Sequence, residues 1–450
     1  SWRGSRAVID LTFSMDPGRL QAELLHATTA PPRPKSKLWQ HVLEVIPTCA
    51  DEAADNVKAS AEDATPNGEK HDFVSWARRM LNETADRMDD HQWLIQQLTR
   101  YVMLEHPLPL VRPPPLPGEV TDEDCRRTGA FTGLRPAPAV VVDVIIFGYD
   151  IDLFELRLYE LGEVVDLFFV IEMPWNHRGA RKPLVWREIA KTERFAPFRD
   201  KVVSIAVDRL PPKLQEEAGP VKGSSFSFEL VQLRGGMPKV RCVLDELLKK
   251  NVLRNGSTMM SYGNADEFAD PQNVRLLRHC TPVELPINNA VWMPNGLMNR
   301  AFRTDYPVPG LPYTLAFPVF HDAFRSEQIA LRNIGAAHSR TRKYLLGGWH
   351  LTNYVYPPYY MLKAIGCSEC SGRMVRNDAS RLGYQLENWT ARVLDPPWWK
   401  GRITALSVLL KGEPYKSRPH LLEPPRTMLL NRERYETWFG KIDRRVYVPV

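Results

Sequence analysis

Val140-Val-Val-Asp-Val-Ile-Ile-Phe147, then Gly148-Tyr-Asp-Ile-Asp-Leu-Phe-Glu-Leu-Arg-Leu-Tyr-Glu-Leu161, then Val165-Asp-Leu-Phe-Phe-Val-Ile-Glu172 are the stretches whose reading decides the fold. The first and third are strand-length apolar runs. Between them the apolar residues fall at helical spacing from Leu153 to Leu161, and Gly162 closes the helix. This is a β-α-β unit. The alternation continues with a helical stretch at Trp186 to Phe195, a strand at Lys201 to Val207 and a helix at Val240 to Val252, in which Val243, Leu244, Leu247 and Leu248 share one face. A further strand follows at Met259 to Tyr262. Such alternation predicts an α/β fold with a parallel sheet and helices on both sides. Ligands of open sheets of this class bind beyond the carboxyl ends of the strands, so Tyr149 to Asp152, Glu172 to Lys182 and Asn264 to Glu267 are expected to share one crevice.

Working outward, residues 1 to about 108 read as helical and loop-like, with Phe73, Trp76, Ala77, Met80 and Leu81 at helical spacing, as are Trp93, Leu94, Leu98 and Tyr101. The run from Pro107 to Pro117 holds neither a helix nor an inner strand, because proline lacks the amide and restricts its neighbour. The chain is therefore expected to divide into a helical stem-like region at 1–118 ending in a Pro-rich linker, an α/β domain at 119–395 that carries the candidate site, and a C-terminal extension at 396–450 packed on it. Leu210 to Met237 is polar and without periodicity, and reads as a loop near the crevice. Beyond Arg278 the strand signals shorten and carry aromatics such as Trp292, Tyr313, Phe317, Phe320, Trp349 and Tyr354, fitting the acceptor side of a cleft.

With 450 residues, 44% hydrophobic and 25% charged, the chain has ordinary globular composition. Its apolar runs stop short of a membrane span. The chain begins at Ser1 without a basic-then-apolar signal pattern, so a processed or trimmed chain is expected, attached to a membrane only through an anchor that it lacks. A net charge of +6 without a long Lys/Arg block argues against a nucleic-acid partner. Cys49, Cys125, Cys242, Cys280, Cys367 and Cys370 permit disulfides without demanding them. Sequons at Asn82-Glu-Thr84, Asn255-Gly-Ser257 and Asn388-Trp-Thr390 fit passage through the secretory pathway, which leans the address towards a lumen. In Cys367-Ser-Glu-Cys370 no second pair completes a zinc motif, so a local disulfide or two free thiols is expected.

Asn264-Ala-Asp-Glu-Phe268 follows a short apolar run and reads as an acidic metal loop at the end of a buried strand. Oxygen ligands of this kind suit Mg2+ or Mn2+, while the plain alternative is a solvated, strand-capping turn. Glu172, leaving a hydrophobic strand, either faces a nucleotide pocket or forms a salt bridge with Arg181 or Lys182. Those two basic residues, and more loosely Arg178, could instead meet phosphate.

The segments from Phe147 to Leu161 and from Val165 to Glu172 resemble the opening of glycosyltransferase family 17. Further marks recur in order: His177-Arg-Gly-Ala-Arg-Lys-Pro-Leu184, Lys201 to Asp208, Ala265-Asp-Glu267, Leu277-Arg-His279 and Gly348-Trp-His-Leu351. The likeness covers roughly Val140 to Tyr354. It implies a GT-A type Rossmann-like nucleotide-sugar domain. It also implies inverting transfer of N-acetylglucosamine from UDP-GlcNAc to a mannose hydroxyl of an N-linked glycan, with a β-1,4 linkage and a Golgi-lumen, type II membrane setting.

By that resemblance Asp266 bridges the cation to the diphosphate, and His350 is a third metal contact or else a packed core histidine. At Asn264 the family usually has aspartate, so one carboxylate of the pair is missing, although an amide oxygen can still touch ribose or a metal-bound water. Glu267 could supply a second carboxylate, but a neighbour on an extended segment points away. The base that inverting transfer requires is left open among Glu267, Asp270 and Glu284. Two rival functions remain: a degenerate relative that binds glycan or nucleotide without turnover, motivated by Asn264, and a metal-dependent phosphohydrolase using the same loop.

Overall fold

The apolar runs at 140–147 and 165–172 form adjacent parallel strands buried on both faces, as near-continuous hydrophobic sequences require. The computed structural model describes residues 37–49, 91–104, 107–177, 179–208, 227–254, 256–283, 287–292, 294–295, 297–302, 313–318, 344–351, 359, 362–363, 366, 403–405 and 423–439. The readings at Phe73 to Leu81, Arg178, Glu284, Phe320, Tyr354, the Cys367–Cys370 pair and the three sequon asparagines lie outside the described residues.

The described helices are α1 Lys37–Cys49, α2 His91–Leu104, α3 Asp122–Arg127, α4 Ile151–Leu161, α5 Val185–Ile189, α6 Ser227–Lys249, α7 Pro271–His279 and α8 Arg426–Leu430. The strands are β1 Phe131–Leu134, β2 Val140–Ile146, β3 Leu167–Glu172, β4 Val202–Ala206, β5 Thr258–Asn264, β6 Glu267–Ala269, β7 Cys280–Pro282, β8 Ile287–Trp292, β9 Pro294–Asn295, β10 Leu297–Phe302, β11 Tyr313–Pro318, β12 Tyr344–His350 and β13 Ile403–Ala405.

The main sheet runs β4-β3-β2-β5-β11-β8-β12-β6. Strands β4, β3, β2 and β5 are mutually parallel. The parallel sheet expected from the alternating elements is present in these four strands, and beyond β5 the sheet becomes mixed: β11 pairs antiparallel with β5 and β8, β6 pairs antiparallel with β12, and β12 pairs parallel with β8. Only Ala265 and Asp266 separate β5 from β6, which is far too little chain for the helical crossover that parallel strands need.

The two faces of the sheet sort by parity. Val141, Ile145, Phe168 and Val170 pack under α4 with Phe154, Leu158, Trp186, Phe195 and Phe198. Val142, Val144, Phe169 and Ile171 pack against Val240, Val243, Leu244 and Leu247 of α6 and Trp39, Val42 and Val45 of α1. Each such side chain contributes about 1.5–3 kcal/mol on burial. Ile95, Leu98 and Val102 of α2 join the α4 side, as do Met428, Tyr435 and Trp438. Among the described residues two disulfides, Cys49–Cys242 and Cys125–Cys280, tie α1 to α6 and α3 to β7.

Two element readings need correction. Residues 227–237, expected to be loop, form the first turns of α6. Gly235, Gly236 and Pro238 erase the helical signal in the sequence, yet the glycine at 236 is required: a Cβ there would overlap the Ile171 side chain, so α6 lies unusually close on β3. The helix expected from Trp186 to Phe195 is instead α5 followed by a separate 3-10 segment at Glu193–Phe198 that contains Pro197.

The Pro-rich strip runs against the C-terminal segment. Leu110 is buried, Val111 N–H donates to Asn431 Oδ1 at 2.6 Å, and Asn431 Nδ2 donates back to Val111 O at 2.9 Å. Among the described residues no helix is long and apolar enough to cross a membrane.

Arg157 of α4 is fully buried. Its guanidinium donates to both carboxylate oxygens of Asp143 at 2.9 and 2.7 Å, and to the carbonyls of Asn264 and Glu267 at 2.5 and 2.8 Å. Replacing Arg157 by Met strands the Asp143 carboxylate in the core, and we expect a loss of about 3–5 kcal/mol in denaturant unfolding. Adding Asp143→Leu should restore most of it, and equal losses in the single and double variants would contradict this account.

Asp270, a base candidate by sequence, is the N-cap of α7, where its Oδ1 accepts from Gln272 N–H at 2.7 Å. Burial pushes its carboxyl up to about 6, against that hydrogen bond. A carboxyl raised on folding keeps its proton longer in the folded state, so stability is lost as pH climbs from about 4 to about 6. Asp270→Asn keeps the cap. Its melting temperature should match the parent near pH 4 and exceed it at pH 7; parallel curves would remove this group from the pH dependence.

Candidate functional site

The acidic turn sits where strand pairing places it. β5 runs parallel to β2 with Asn264 opposite Ile146, and Ala265 N–H then donates to Ile146 O at 3.1 Å, ending the strand beside the start of α4. β12 returns antiparallel to β6 with His350 opposite Glu267, and Leu351 N–H donates to Asp266 O at 2.8 Å. Gly348 makes that approach possible. Its φ is +108°, and a Cβ there would collide with the Phe268 carbonyl and Ala269 backbone.

These elements bring Asp266, Glu267 and His350 together. One ligand atom from each lies within 4.8 Å of the others. His350 Nε2 is 3.5 Å from Asp266 Oδ2 and 3.6 Å from Glu267 Oε1. Strand alternation would have sent Glu267 away from Asp266, but Ala265 and Asp266 form a turn rather than extended backbone, so both carboxylates reach one place. Asn264 stands at the strand end, where its backbone N–H donates to Glu267 Oε2 at 3.2 Å. Its side-chain oxygen is buried with no hydrogen-bond partner among the described residues.

Two residues that sequence reasoning did not single out complete the crevice. Lys363 Nζ lies 2.7 Å from Asp266 Oδ2. Burial alone would raise the Asp266 carboxyl, but the neighbouring charges of Lys363 and His350 hold it well below the usual carboxylate range. Asp150, at the N-cap of α4, makes no side-chain cap hydrogen bond. Burial, joined by the negative charge of Asp266, pushes Asp150 up to about 6. Lys363 carries no motif in the sequence; Asp150 falls within the strand-end segment Tyr149 to Asp152, and that position was its only signal.

The remaining sequence candidates are engaged elsewhere. Glu172 ends β3, two strands from β5 and therefore roughly 10 Å away by strand spacing. It is buried, takes the Lys182 ammonium at 3.1 Å, and accepts from Trp186 N–H at 3.0 Å at the start of α5. Burial raises its carboxyl, with Lys182 opposing. Of its two readings, the structure presents the salt bridge. Arg181 stacks over the Trp175 ring at 4.2 Å. Neither it nor Lys182 joins the acidic cluster. A cavity lined by Ile46, Glu172, Trp186, Ser204, Asp208 and Lys239 opens at the β4 edge and contains none of Asp266, Glu267 or His350.

As a donor set, two carboxylates and an imidazole fit a hard divalent cation with room for exogenous oxygen ligands. The partnerless Asn264 oxygen beside them agrees with that fit.

Residues 119–295 match the model of Glycosyltransferase family 17. Over 78 residues, 17% of this chain, the sequence is 36% identical to the "Beta-1,4-mannosyl-glycoprotein 4-beta-N-acetylglucosaminyltransferase" of Rattus norvegicus, covering 14% of that protein. The same identity holds for the protein of that name from Homo sapiens, with 15% of it covered. The counterpart from Mus musculus is 35% identical over 78 residues. The aligned part thus spans 14–15% of the length of these relatives. No solved structure matches the chain. The matched segment includes β2 to β5, α4 to α7 and the turn bearing Asp266 and Glu267, so the part of the chain that builds this acidic turn is similar to glycosyltransferase family 17, while His350 and Lys363 come from beyond the match.

Proposed function

We propose that the chain is a GT-A type, inverting glycosyltransferase that moves N-acetylglucosamine from UDP-GlcNAc to a mannose hydroxyl of an N-linked glycan, forming a β-1,4 linkage. The observation that carries this reading is the convergence of Asp266, Glu267 and His350 at the carboxyl end of β5, a strand of the matched segment. The relatives named above lend the donor and acceptor classes.

Asp266, Glu267 and His350 would hold a divalent cation, Mn2+ or Mg2+. When bound, that cation would neutralise the leaving diphosphate. Asp266 presents a carboxylate that stays ionised because Lys363 and His350 stand beside it. Arg157 fixes the carbonyls on either side of the turn, so the ligands are held before substrate arrives. An oxidising, lumenal setting such as the Golgi accords with the two disulfides.

The second reading is a relative that binds without turnover, and Asn264 motivates it. The purified chain should release UDP from UDP-GlcNAc with a mannose-terminated N-glycan when Mn2+ is present and fall silent when it is chelated. Asp266→Asn should lower that rate roughly 100-fold or more. Equal release without acceptor would indicate hydrolysis instead. Silence with every UDP-sugar, followed by activity in Asn264→Asp, would establish the non-catalytic reading.

A further inference from the structure

Lys363 is held in place rather than draped over the crevice. On one side of it Tyr359 Oη accepts from Asp152 N–H at 2.8 Å, and on the other Tyr149 Oη donates to Leu362 O at 2.8 Å. Tyr359 and Leu362 are both buried in the α4-side core. These two tyrosine bonds fasten Tyr359 and Leu362 to the first turn of α4 and to the loop before it, with the lysine directed at Asp266. The ammonium meets the same Oδ2 that lies 3.5 Å from His350 Nε2. A cation taking that oxygen as a ligand must displace the ammonium, because one carboxylate oxygen cannot serve both at full strength.

Resting on the metal-dependent reading above, we propose that Lys363 is a built-in counter-cation that competes with the divalent metal for Asp266 and turns to the donor's diphosphate once displaced. A displaced ammonium requires an anion. The Lys363 side chain is 31% exposed, with Asp266 at 5%, so it has an outlet to solvent that Asp266 lacks. A lysine exchanging a carboxylate for phosphate makes metal and nucleotide each strengthen the other's binding, since coupling between two ligands is reciprocal. Metal alone then binds weakly, and metal with nucleotide binds well.

The test is a Mn2+ titration of the full chain, read by the paramagnetic resonance signal of free Mn2+, with and without UDP. Without UDP, Lys363→Met and Lys363→Gln should bind Mn2+ about tenfold more tightly or better, as loss of a charge-assisted competitor predicts. The tightening that UDP gives the parent should shrink in both, and Lys363→Arg should behave like the parent. Circular dichroism melts identify any variant that fails to fold, and the second neutral variant then decides. Unchanged or weaker Mn2+ binding in the folded neutral variants would overturn the proposal, as would tighter binding with the full UDP effect retained. Asp266→Asn separates the two ideas. If it leaves Mn2+ binding of the parent intact, the metal reading itself falls; if it abolishes binding while the Lys363 variants match the parent, only the role of Lys363 falls.

Discussion

The guanidinium of Arg157 is the hub on which the crevice depends. It lies in the core with no exposure, and its charge is met by Asp143, which also accepts from Ser261 Oγ at 2.6 Å. Because Asp143 is on β2, Ser261 on β5 and Arg157 on α4, one buried cluster fixes two strands in register and seats the helix above them. Desolvating such a pair is costly, and it is tolerated here because nearly every donor of the guanidinium has a partner. Two of those partners are the carbonyls of Asn264 and Glu267, which flank the acidic turn. With the backbone of the turn anchored from below, the side chains of Asp266 and Glu267 are left to face the crevice.

α4 is buried nearly all round, which makes each of its charged residues a docking point. Asp152 and Glu155 share Arg194 and Arg434, and Glu160 accepts from the backbone and hydroxyl of Thr427. For Asp152, burial works upward, but Arg434 and Arg194 bring its carboxyl below the ordinary value. For Glu160 burial wins despite the Thr427 bonds. The segment at 423–439 is thus attached through a polar seam over the helix whose other face covers the sheet. That arrangement keeps the N-terminus of α4, and Asp150 with it, at the edge of the crevice.

What the sequence made legible follows from short-range physics. Strands β2, β3 and β5 and helix α4 were readable because doubly buried parallel strands are continuous apolar runs and α4 alternates at helical spacing. The acidic turn was readable because its carboxylates follow such a strand directly. The meaning of Arg157, Asp152, Glu155 and Glu160 was not, since charges on a helix read as a solvated face until a third layer covers them. The start of α6 was hidden by glycines that exist to bring the helix close to Ile171. The antiparallel half of the sheet depends on pairings between residues as distant as Phe268 and Trp349. Lys363 is 97 positions from Asp266 and stands in no pattern at all, so only three-dimensional contact reveals it.

The charge of the crevice ties these observations together. Asp150, Asp266 and Glu267 crowd one poorly solvated place, and neighbouring carboxylates there cannot all ionise without a counter-charge. The two aspartates divide accordingly: Asp266, beside Lys363 and His350, is held well below the usual carboxylate range, while burial, joined by the charge of Asp266, pushes Asp150 up to about 6. Whatever cation sits on Asp266 therefore governs the field felt by the rest of the crevice. An aspartate at 264 would add one more negative charge to this group, whereas the amide of Asn264 offers an oxygen without adding repulsion. An amide rather than a carboxylate at 264 weakens the pull on a divalent ion but also lowers the cost of assembling the site before one arrives. In the absence of metal, the Lys363 ammonium and the His350 ring beside Asp266 Oδ2 supply the counter-charge that this carboxylate requires.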